Sequence, residues 1–182
     1  EHTFIFGYEE SFGFLSGAYS RDKDAVGATM LIAEMASFYK EKGLTLWDVL
    51  QGLYKEHGFY EEKTVSVSIG GIDPMAKMRE IMSNLRSNPP KSVCDVSAVS
   101  LMDYKSQTST NLVTRETAKD DSLPVADMLK FTLEDGTSAI VRPSGTEPKI
   151  KIYILASHEN KETAQKMCVD YSSSLKTLLQ NM

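Results

Sequence analysis

Residues 139–155 read AIVRPSGTEPKIKIYIL and place a cluster of polar side chains in a short turn between two apolar runs. Arg142 offers a planar set of donors that suits a phosphate or a carboxylate. Ser144 and Thr146 add hydroxyl groups. Gly145 permits a turn with positive φ, which can direct successive backbone N–H groups into one concavity. These residue types in this order predict an anion-binding loop.

The residues around this turn support the same interpretation. Pro143 and Pro148 stiffen its two ends, which lowers the entropy that is lost when a ligand binds. Lys149 and Lys151 lie on one face of the following strand, and only Glu147 opposes them, so the local charge is positive. A Walker-type phosphate loop is excluded, because the glycine-lysine-hydroxyl ending is absent and no helix follows. An ordinary turn followed by solvated lysines is the alternative.

A second polar loop lies near the start of the chain, where residues 7–17 read GYEESFGFLSG. Glu9 and Glu10 could be read as a general acid and base, but side chains of adjacent residues usually point apart. We expect one of these carboxylates to accept hydrogen bonds from two neighbouring sugar hydroxyls, with Ser11 donating and accepting beside it. Such a loop discriminates well, because an unpaired buried polar group costs about 1–3 kcal/mol. An ordinary solvated loop is the alternative.

The overall composition excludes several classes of protein. The chain has 182 residues, of which 41% are apolar and 25% charged, and its net charge is −5. Nucleic-acid and membrane-surface binding rely on clustered basic charge, so we expect neither partner. No apolar run approaches the roughly 18–20 residues that span a bilayer. Cys94 and Cys168 lack metal-ligand spacing, which predicts reduced core residues of a cytoplasmic protein and no metal site.

The elements that position the first loop are one strand and two helices. Residues 3–6 predict a buried strand that begins almost at once, from which we infer that the chain is a piece of a longer protein. A helix is expected from an N-cap at Asp24 to about Lys42, and its two apolar faces predict packing on more than one side. The capping-box spacing of Thr45 and Asp48 begins a second helix.

The elements that position the second loop form an α+β domain. We predict a domain boundary at the charged connector of residues 61–64, which gives an α/β part at 1–61 and an α+β domain at 62–182. The elements expected in this domain follow in chain order: a strand at 65–69, a helix from Asp73-Pro74, a strand at 93–101, a long surface loop at 104–124, a type I′ hairpin at Asp135-Gly136, a strand at 149–155 and a C-terminal helix. This order predicts an antiparallel sheet with helices on one face, preceded by a partial α/β domain.

The loops together are more specific than either alone. Three segments occur in this order along the chain: GYEESFG, RDKDAV and VRPSGTEPKIKIY. Together they resemble the α-D-phosphohexomutase family of phosphoglucomutases and phosphomannomutases. The resemblance covers nearly the whole chain, as the end of the third domain and all of the fourth, and implies a TATA-box-binding-protein-like fold for the latter. It places Glu9 and Ser11 at hydroxyl-binding positions and Lys23 in a neighbouring basic position that faces the substrate.

The same resemblance assigns the phosphate-binding loop of the fourth domain to Arg142, Ser144, Gly145 and Thr146, with Lys149 as an addition. The family moves a phosphoryl group between the 1- and 6-positions of a hexose, through a phosphoserine and a bisphosphorylated sugar. Mg²⁺ held by an Asp-rich loop supports this transfer. The resemblance therefore implies Mg²⁺ and glucose 1,6-bisphosphate as cofactors of the full-length enzyme.

The chain lacks a Thr-Ala-Ser-His-type serine loop and an Asp-Gly-Asp-type metal loop. We therefore expect no catalytic residue and no metal ligand in these 182 residues, and we expect the chain alone to bind ligand without catalysing. Its expected partners are a hexose phosphate and the missing N-terminal domains of the same polypeptide. The EESFG form favours glucose phosphates. A phosphomannomutase, a pentose-phosphate mutase, a non-catalytic sugar-phosphate-binding module and a structural adaptor are the alternatives.

Overall fold

The computed structural model describes residues 3–9 and 12–182 and contains four helices and ten strands in these ranges. The chain divides into two compact units, of which the first ends at Glu56 and the second begins at His57. Across the described ranges, every helix is too short or too polar to cross a membrane.

The first unit consists of a short hairpin and two helices. Strands β1 (Gly7–Glu9) and β2 (Gly13–Leu15) pair antiparallel, and helices α1 (Ala25–Glu41) and α2 (Leu46–His57) follow. Asp24 caps α1 as predicted, since its carboxylate accepts from the backbone N–H groups of Val26 and Gly27. The hydrogen bond from the Val26 N–H is the shorter of the two, at 3.0 Å.

The predicted capping box at the start of α2 is present. The Thr45 N–H donates to Asp48 Oδ2 at 2.8 Å, and the Asp48 N–H donates to Thr45 Oγ1 at 3.2 Å. Hydrogen bonds from the hydroxyl and backbone of Thr45 hold the pKa of Asp48 below its usual range. An aspartate therefore replaces the usual glutamate of this motif without losing the reciprocal pair.

Two predictions for the first unit are wrong. Residues 3–6 are not in a strand, and the Gly-rich segment that follows contains the β1–β2 hairpin. The side chains of Phe4, Ile5 and Phe6 are exposed, because no described strand pairs with this segment. Helix α1, predicted to pack on more than one side, has no buried residue in the described structure. An apolar pattern indicates which faces of a helix favour burial, but burial also requires other elements that pack against those faces.

The second unit is an antiparallel sheet with two helices. The strands run β3 (Phe59–Ser68), β4 (Ser92–Val93), β5 (Val96–Asp103), β6 (Thr108–Asn111), β7 (Thr117–Lys119), β8 (Leu129–Leu133), β9 (Ser138–Pro143) and β10 (Lys149–His158), and the helices are α3 (Pro74–Ser87) and α4 (Lys161–Gln180). The strand order is β3-β10-β9-β8-β5-β6-β7, and β4 pairs with β5. Every pairing is antiparallel.

One face of this sheet is covered by both helices, which confirms the predicted fold class. Alternate residues of β10 are buried beneath α3 and α4, and the intervening ones point to the uncovered face. The helix residues predicted to face inward on α3, namely Met78, Ile81, Met82 and Leu85, are all buried. The core is a single cluster of apolar side chains from the sheet and both helices. The period-two alternation of β10 therefore determines which side chains remain available on the uncovered face.

Sequence reasoning missed two pieces of this sheet, both of them polar. The predicted connector at 61–64 lies inside β3, where residues 61–64 pair with β10. Because β3 is an edge strand, charged side chains are tolerated on it. The predicted surface loop at 104–124 contains strands β6 and β7, which pair at the other edge. Their threonine-rich sequence favours a strand but carries no apolar alternation.

Two local turns also differ from expectation. Cys94 is exposed and not in the core; it and Asp95 have positive φ and form the turn that separates β4 from β5. In the β8–β9 hairpin, Gly136 has a φ of 84°, whereas Asp135 is not among the positive-φ residues. Leu133 O accepts from Gly136 N–H, and Leu133 N–H donates to Thr137 O, each at 2.9 Å. The turn is therefore a type I turn with a glycine bulge instead of type I′.

The Tyr171 hydroxyl ties α4 to this hairpin by donating to Asp135 Oδ2 at 2.7 Å. Burial, and after it the hydrogen bond to Asp135, raises the pKa of Tyr171. An acid whose native pKa exceeds its unfolded value of about 10 stabilises the fold fully below that pH and loses this contribution as the pH rises further. We expect Tyr171→Phe to cost about 1 kcal/mol at pH 8 and less above pH 10. Urea unfolding of both proteins at the two pH values measures the difference, and a difference that grows with pH contradicts it.

Candidate functional site

The predicted anion loop connects β9 to β10 at one end of the sheet. Arg142 lies in β9 with an exposed side chain on the uncovered face, and residues 144–148 form the turn. The Ser144 N–H donates to Lys149 O at 2.8 Å, which closes the base of the loop. The Ile69 N–H donates to Pro148 O at 2.8 Å and fixes the loop to the segment that follows β3. The turn is thus held at both ends by backbone hydrogen bonds.

Backbone N–H groups of the turn converge on the Ser144 hydroxyl. Ser144 Oγ lies 3.4 Å from Thr146 N and 3.3 Å from Glu147 N, and both N–H groups donate to it. These bonds are long, so the donors are weakly held. A phosphate oxygen would accept more strongly than a neutral hydroxyl. The geometry therefore provides two backbone donors and two side-chain hydroxyls, those of Ser144 and Thr146, within one short turn.

Gly145 does not have the positive φ that the sequence analysis expected. A Cβ built on this residue meets no atom within 4 Å, so neither the backbone conformation nor the packing of the folded chain requires glycine here. The expected anion nest based on a left-handed Gly145 is therefore absent from this conformation. A side chain at this position would point into the open region above the turn.

This difference between two glycines gives a prediction. Gly145→Ala should leave stability unchanged or raise it by about 0.4–1 kcal/mol, because alanine fits the conformation and restricts the unfolded chain. Gly136→Ala should lower stability by roughly 1–2 kcal/mol, because its φ of 84° is costly for a residue with a side chain. Thermal unfolding of the two variants measures this contrast. Equal losses of stability in both would show that the Gly145 conformation is wrongly assigned.

The cations around the loop differ in how they are engaged. Lys149 Nζ lies 3.2 Å and 3.3 Å from the two carboxylate oxygens of Glu147, so its charge is already partly balanced. Arg142 has no hydrogen-bond or ion-pair partner among the described residues. It lies directly opposite Lys151 in the β9–β10 register. Like charges in directly opposite positions destabilise a sheet, so an anion bound near Arg142 would relieve this repulsion.

The first unit brings two other predicted residues together. Lys23 Nζ lies 3.1 Å from Glu9 Oε1 and 2.7 Å from Asp22 Oδ1. The hydrogen bond to Asp22, and after it the one to Glu9, raises the pKa of Lys23. Both Glu9 and Lys23 remain about half exposed. Ser11 and Glu10 lie outside the described residues, so the predicted role of Ser11 stays a prediction.

The β1–β2 hairpin explains why Glu9 and Lys23 meet. Glu9 lies opposite Gly13 in the hairpin register. A Cβ at Gly13 would lie 2.5 Å from Lys23 Cγ, so only glycine lets the Lys23 stem pass across β2. The Asp24 N–H donates to Phe14 O at 2.8 Å, which fixes the start of α1 against the hairpin. A carboxylate acceptor and an ammonium donor are therefore presented side by side, a combination that suits sugar hydroxyls.

Sequence reasoning missed this ion pair and the full set of cations on the sheet. The Glu9–Lys23 contact spans a segment whose hairpin was not predicted. Lys130 of β8 faces the uncovered side of the sheet, like Arg142 and Lys151, but the strand register that relates it to the other two is invisible in the sequence. The alternation of Leu129, Phe131 and Leu133 was the available signal, because it requires Lys130 to point away from the core.

The described residues contain no group of three or more His, Cys, Asp or Glu side chains that is placed to hold a metal ion. The Mg²⁺ implied by the family resemblance thus has no fitting set of ligands in the described ranges. The arrangement described above can bind an anion at the β9–β10 turn and polar hydroxyls at the β1–β2 hairpin.

Two family models match the chain. The model described as "Phosphoglucomutase/phosphomannomutase, alpha/beta/alpha domain III" matches residues 1–57. The model described as "Phosphoglucomutase/phosphomannomutase, C-terminal domain" matches residues 85–170. The two matches lie in the order in which the sequence motifs were found, and the first ends at the junction between the two compact units.

Curated relatives extend the similarity over most of the chain. A phosphoglucomutase of Staphylococcus epidermidis is 37% identical over 168 residues, which are 92% of this chain and 30% of the relative. A phosphoglucomutase of Staphylococcus haemolyticus is 33% identical over 93% of this chain and 30% of its own length. One from Staphylococcus aureus strain MRSA252 is 38% identical over 90% of this chain and 29% of its own length. The chain thus spans about 30% of the length of these relatives.

A solved structure shares the fold. The open form of parafusin, a phosphoglucomutase from Paramecium, matches with a TM-score of 0.57 at 17% sequence identity. The match covers 94% of this chain and 28% of the Paramecium chain. At this identity the likeness concerns the fold alone.

Proposed function

The chain belongs to the phosphoglucomutase/phosphomannomutase family, and we propose that it forms the substrate-binding C-terminal portion of a phosphoglucomutase. The activity proposed for the full-length protein is the interconversion of glucose 1-phosphate and glucose 6-phosphate through a bisphosphorylated sugar. The observation that carries this proposal is the unpartnered Arg142 guanidinium, in the described structure, beside a turn whose backbone donors are weakly held.

In this proposal the β9–β10 turn holds the phosphate group that is not being transferred. Arg142 donates two parallel hydrogen bonds to it, as a guanidinium does to a phosphate. Ser144 and Thr146 contribute hydroxyls, and the open space above Gly145 admits the ligand. Lys149 adds charge, although Glu147 partly balances it. Holding one end of the sugar orients the other, which is where such positioning contributes to the rate.

Glu9, Ser11 and Lys23 are proposed to bind the hydroxyl groups of the sugar. The Glu9 carboxylate accepts from neighbouring hydroxyls, and the Lys23 ammonium donates to a hydroxyl or a phosphate oxygen. Their ion pair, at 3.1 Å, orients the two groups before the ligand arrives. A sugar that lacks a matching hydroxyl leaves these groups without a partner, and this costs binding energy.

The phosphoserine, Mg²⁺ and the residues that hold Mg²⁺ are proposed to come from other domains of the full-length protein. Phosphoryl transfer depends mostly on positioning and on charge stabilisation by groups such as a metal ion. Glucose 1,6-bisphosphate is the proposed intermediate and activator. The relatives named phosphoglucomutase support glucose phosphates over mannose phosphates as substrate. A cytoplasmic location stays a prediction from the sequence.

An activity assay tests this proposal. The full-length protein, with Mg²⁺ and a trace of glucose 1,6-bisphosphate, should convert glucose 1-phosphate to glucose 6-phosphate with a higher kcat/KM than it shows for mannose 1-phosphate. The 182-residue chain alone should show no conversion. A reversed preference identifies a phosphomannomutase instead, and conversion by the chain alone contradicts the proposed division of roles.

A further inference from the structure

Gly13 of β2 lies against the side-chain stem of Lys23. A Cβ at Gly13 would lie 2.5 Å from Lys23 Cγ, 3.0 Å from Cδ and 3.2 Å from Cε. Ordinary contacts between carbon atoms are about 3.5–4.0 Å long, so the lysine stem occupies the space of the missing side chain. Gly13 pairs with Glu9 in the hairpin, and directly opposite residues of an antiparallel pair share one face. The stem therefore crosses β2 at Gly13 and reaches the Glu9 carboxylate.

The backbone on both sides of this contact is held by hydrogen bonds. Gly13 is held in β2 by its pairing with β1. The Lys23 N–H donates to Asp22 Oδ1 at 2.8 Å, and the Asp24 N–H donates to Phe14 O at 2.8 Å. The lysine stem is therefore the most movable part of the contact. A methyl group at Gly13 would displace this stem by about 1 Å, which separates the present spacing from an ordinary carbon contact.

The ammonium group at the end of this stem has a defined position. Lys23 Nζ lies 3.1 Å from Glu9 Oε1 and 2.7 Å from Asp22 Oδ1. An ammonium group has three donors, and these carboxylates engage two of them. Lys23 has no third partner among the described residues, so the remaining N–H is available to an acceptor on a ligand. The two ion pairs fix the direction of this N–H, and a displacement of the stem would change it.

We infer that Gly13 is a positioning residue of the sugar site: by leaving room for the Lys23 stem, it determines where the ammonium group meets an oxygen atom of the ligand. The inference rests on the proposed function, in which Lys23 binds the ligand. Gly13 itself need not touch the ligand. The φ angle of Gly13 is not in the left-handed region, so an alanine is compatible with the hairpin backbone. The effect of an added methyl group therefore falls chiefly on the lysine stem.

Steady-state kinetics of the full-length protein test the inference through a double-mutant cycle. Gly13→Ala should lower kcat/KM for glucose 1-phosphate about 10-fold, and by no more than Lys23→Ala does, because a displacement of about 1 Å misplaces a binding group. In the Lys23→Ala background the added methyl group meets no stem, so Gly13→Ala should then change kcat/KM by less than about two-fold. Gly52→Ala in α2 is the matched control, since a Cβ at Gly52 meets no atom within 4 Å. It should leave kcat/KM unchanged.

The possible results separate this inference from the proposed function. Wild-type kcat/KM in Gly13→Ala, or an equal loss in both backgrounds, overturns the inference, because a purely structural effect does not depend on Lys23. Wild-type kcat/KM in Lys23→Ala removes Lys23 from the sugar site, and the role of Gly13 is refuted with it. A wild-type protein that does not convert glucose 1-phosphate refutes the proposed function itself. A lowered unfolding temperature of Gly13→Ala also contradicts the inference, because the methyl group should displace a mobile stem and not the fold.

Discussion

Arg142→Ala is expected to weaken phosphate-ligand binding by about 10- to 100-fold, because a hydrogen-bonded charge contact contributes about 1.5–3 kcal/mol. Stability should change little, since the Arg142 side chain is exposed and contacts no partner within the described ranges. The substitution also removes the positive charge opposite Lys151, and this change favours a slight increase in stability. In the full-length protein the same variant should raise KM and lower kcat/KM for glucose 1-phosphate. Steady-state kinetics and calorimetry measure the two effects.

The matched control for this variant is Arg79→Ala. Arg79 is an exposed arginine of α3, on the helix side of the sheet, and has no described ion-pair partner. It carries the same charge but is not on the face that bears the phosphate turn. We expect wild-type affinity and kinetics in this control. Wild-type values in Arg142→Ala, or equal losses in the two variants, would remove the assignment of the β9–β10 turn to phosphate binding.

Ile154→Ala is expected to destabilise the second unit by about 2–5 kcal/mol, whereas Leu155→Ala should cost less than about 1 kcal/mol. The two residues are neighbours on β10, and both substitutions remove three carbon atoms. Ile154 is fully buried beneath the helices, and Leu155 is 42% exposed on the uncovered face. The difference between the two losses of stability therefore measures what burial beneath the helices contributes, because the two residues have similar strand propensities and neighbouring positions in β10.

Urea denaturation of the two variants and the wild-type chain measures these losses of stability. The transition that is followed must be that of the second unit. Similar losses of stability would mean that both faces of the sheet are covered. That outcome would also place the Arg142 side chain beneath a packing partner and make it inaccessible to a ligand. The stability experiment thus bears on the binding proposals as well as on the fold.

Patterns that depend on one segment were predicted correctly. The caps at Asp24 and Asp73, the capping box at Thr45 and Asp48, and the buried stripe of α3 are all present. Each is a local arrangement, in which residues three or four apart on one helix determine the result. The alternation of Ile150, Ile152 and Ile154 likewise predicted β10 and its buried face.

Features that depend on distant partners were not predicted. Strands β6 and β7 are polar and gain their hydrogen bonds from each other and from β5, so periodicity carries no signal for them. Residues 3–6 show the reverse case, since an apolar segment without a described strand beside it stays exposed. The choice of turn at Asp135-Gly136 depends on a bulge that aligns β8 with β9.

The candidate site divides in the same way. The residue types of the β9–β10 turn were readable from the sequence, because Arg, Ser, Gly and Thr in one short turn exceed what a turn needs. The ion pair of Glu9 with Lys23 and the alignment of Lys130 with Arg142 were not readable, since each depends on strand register. Sequence therefore indicated the chemistry of the turn, and the register added the residues that surround it.

The central claim, that the turn from Arg142 to Thr146 binds phosphate, is tested most directly by an amide chemical-shift titration of the 182-residue chain. Glucose 1-phosphate is added to millimolar concentration, and glucose without phosphate serves as the control ligand. We expect saturable shifts concentrated at residues 142–149, which glucose alone does not produce. A folded chain whose amide signals at residues 142–149 do not move with glucose 1-phosphate would contradict it.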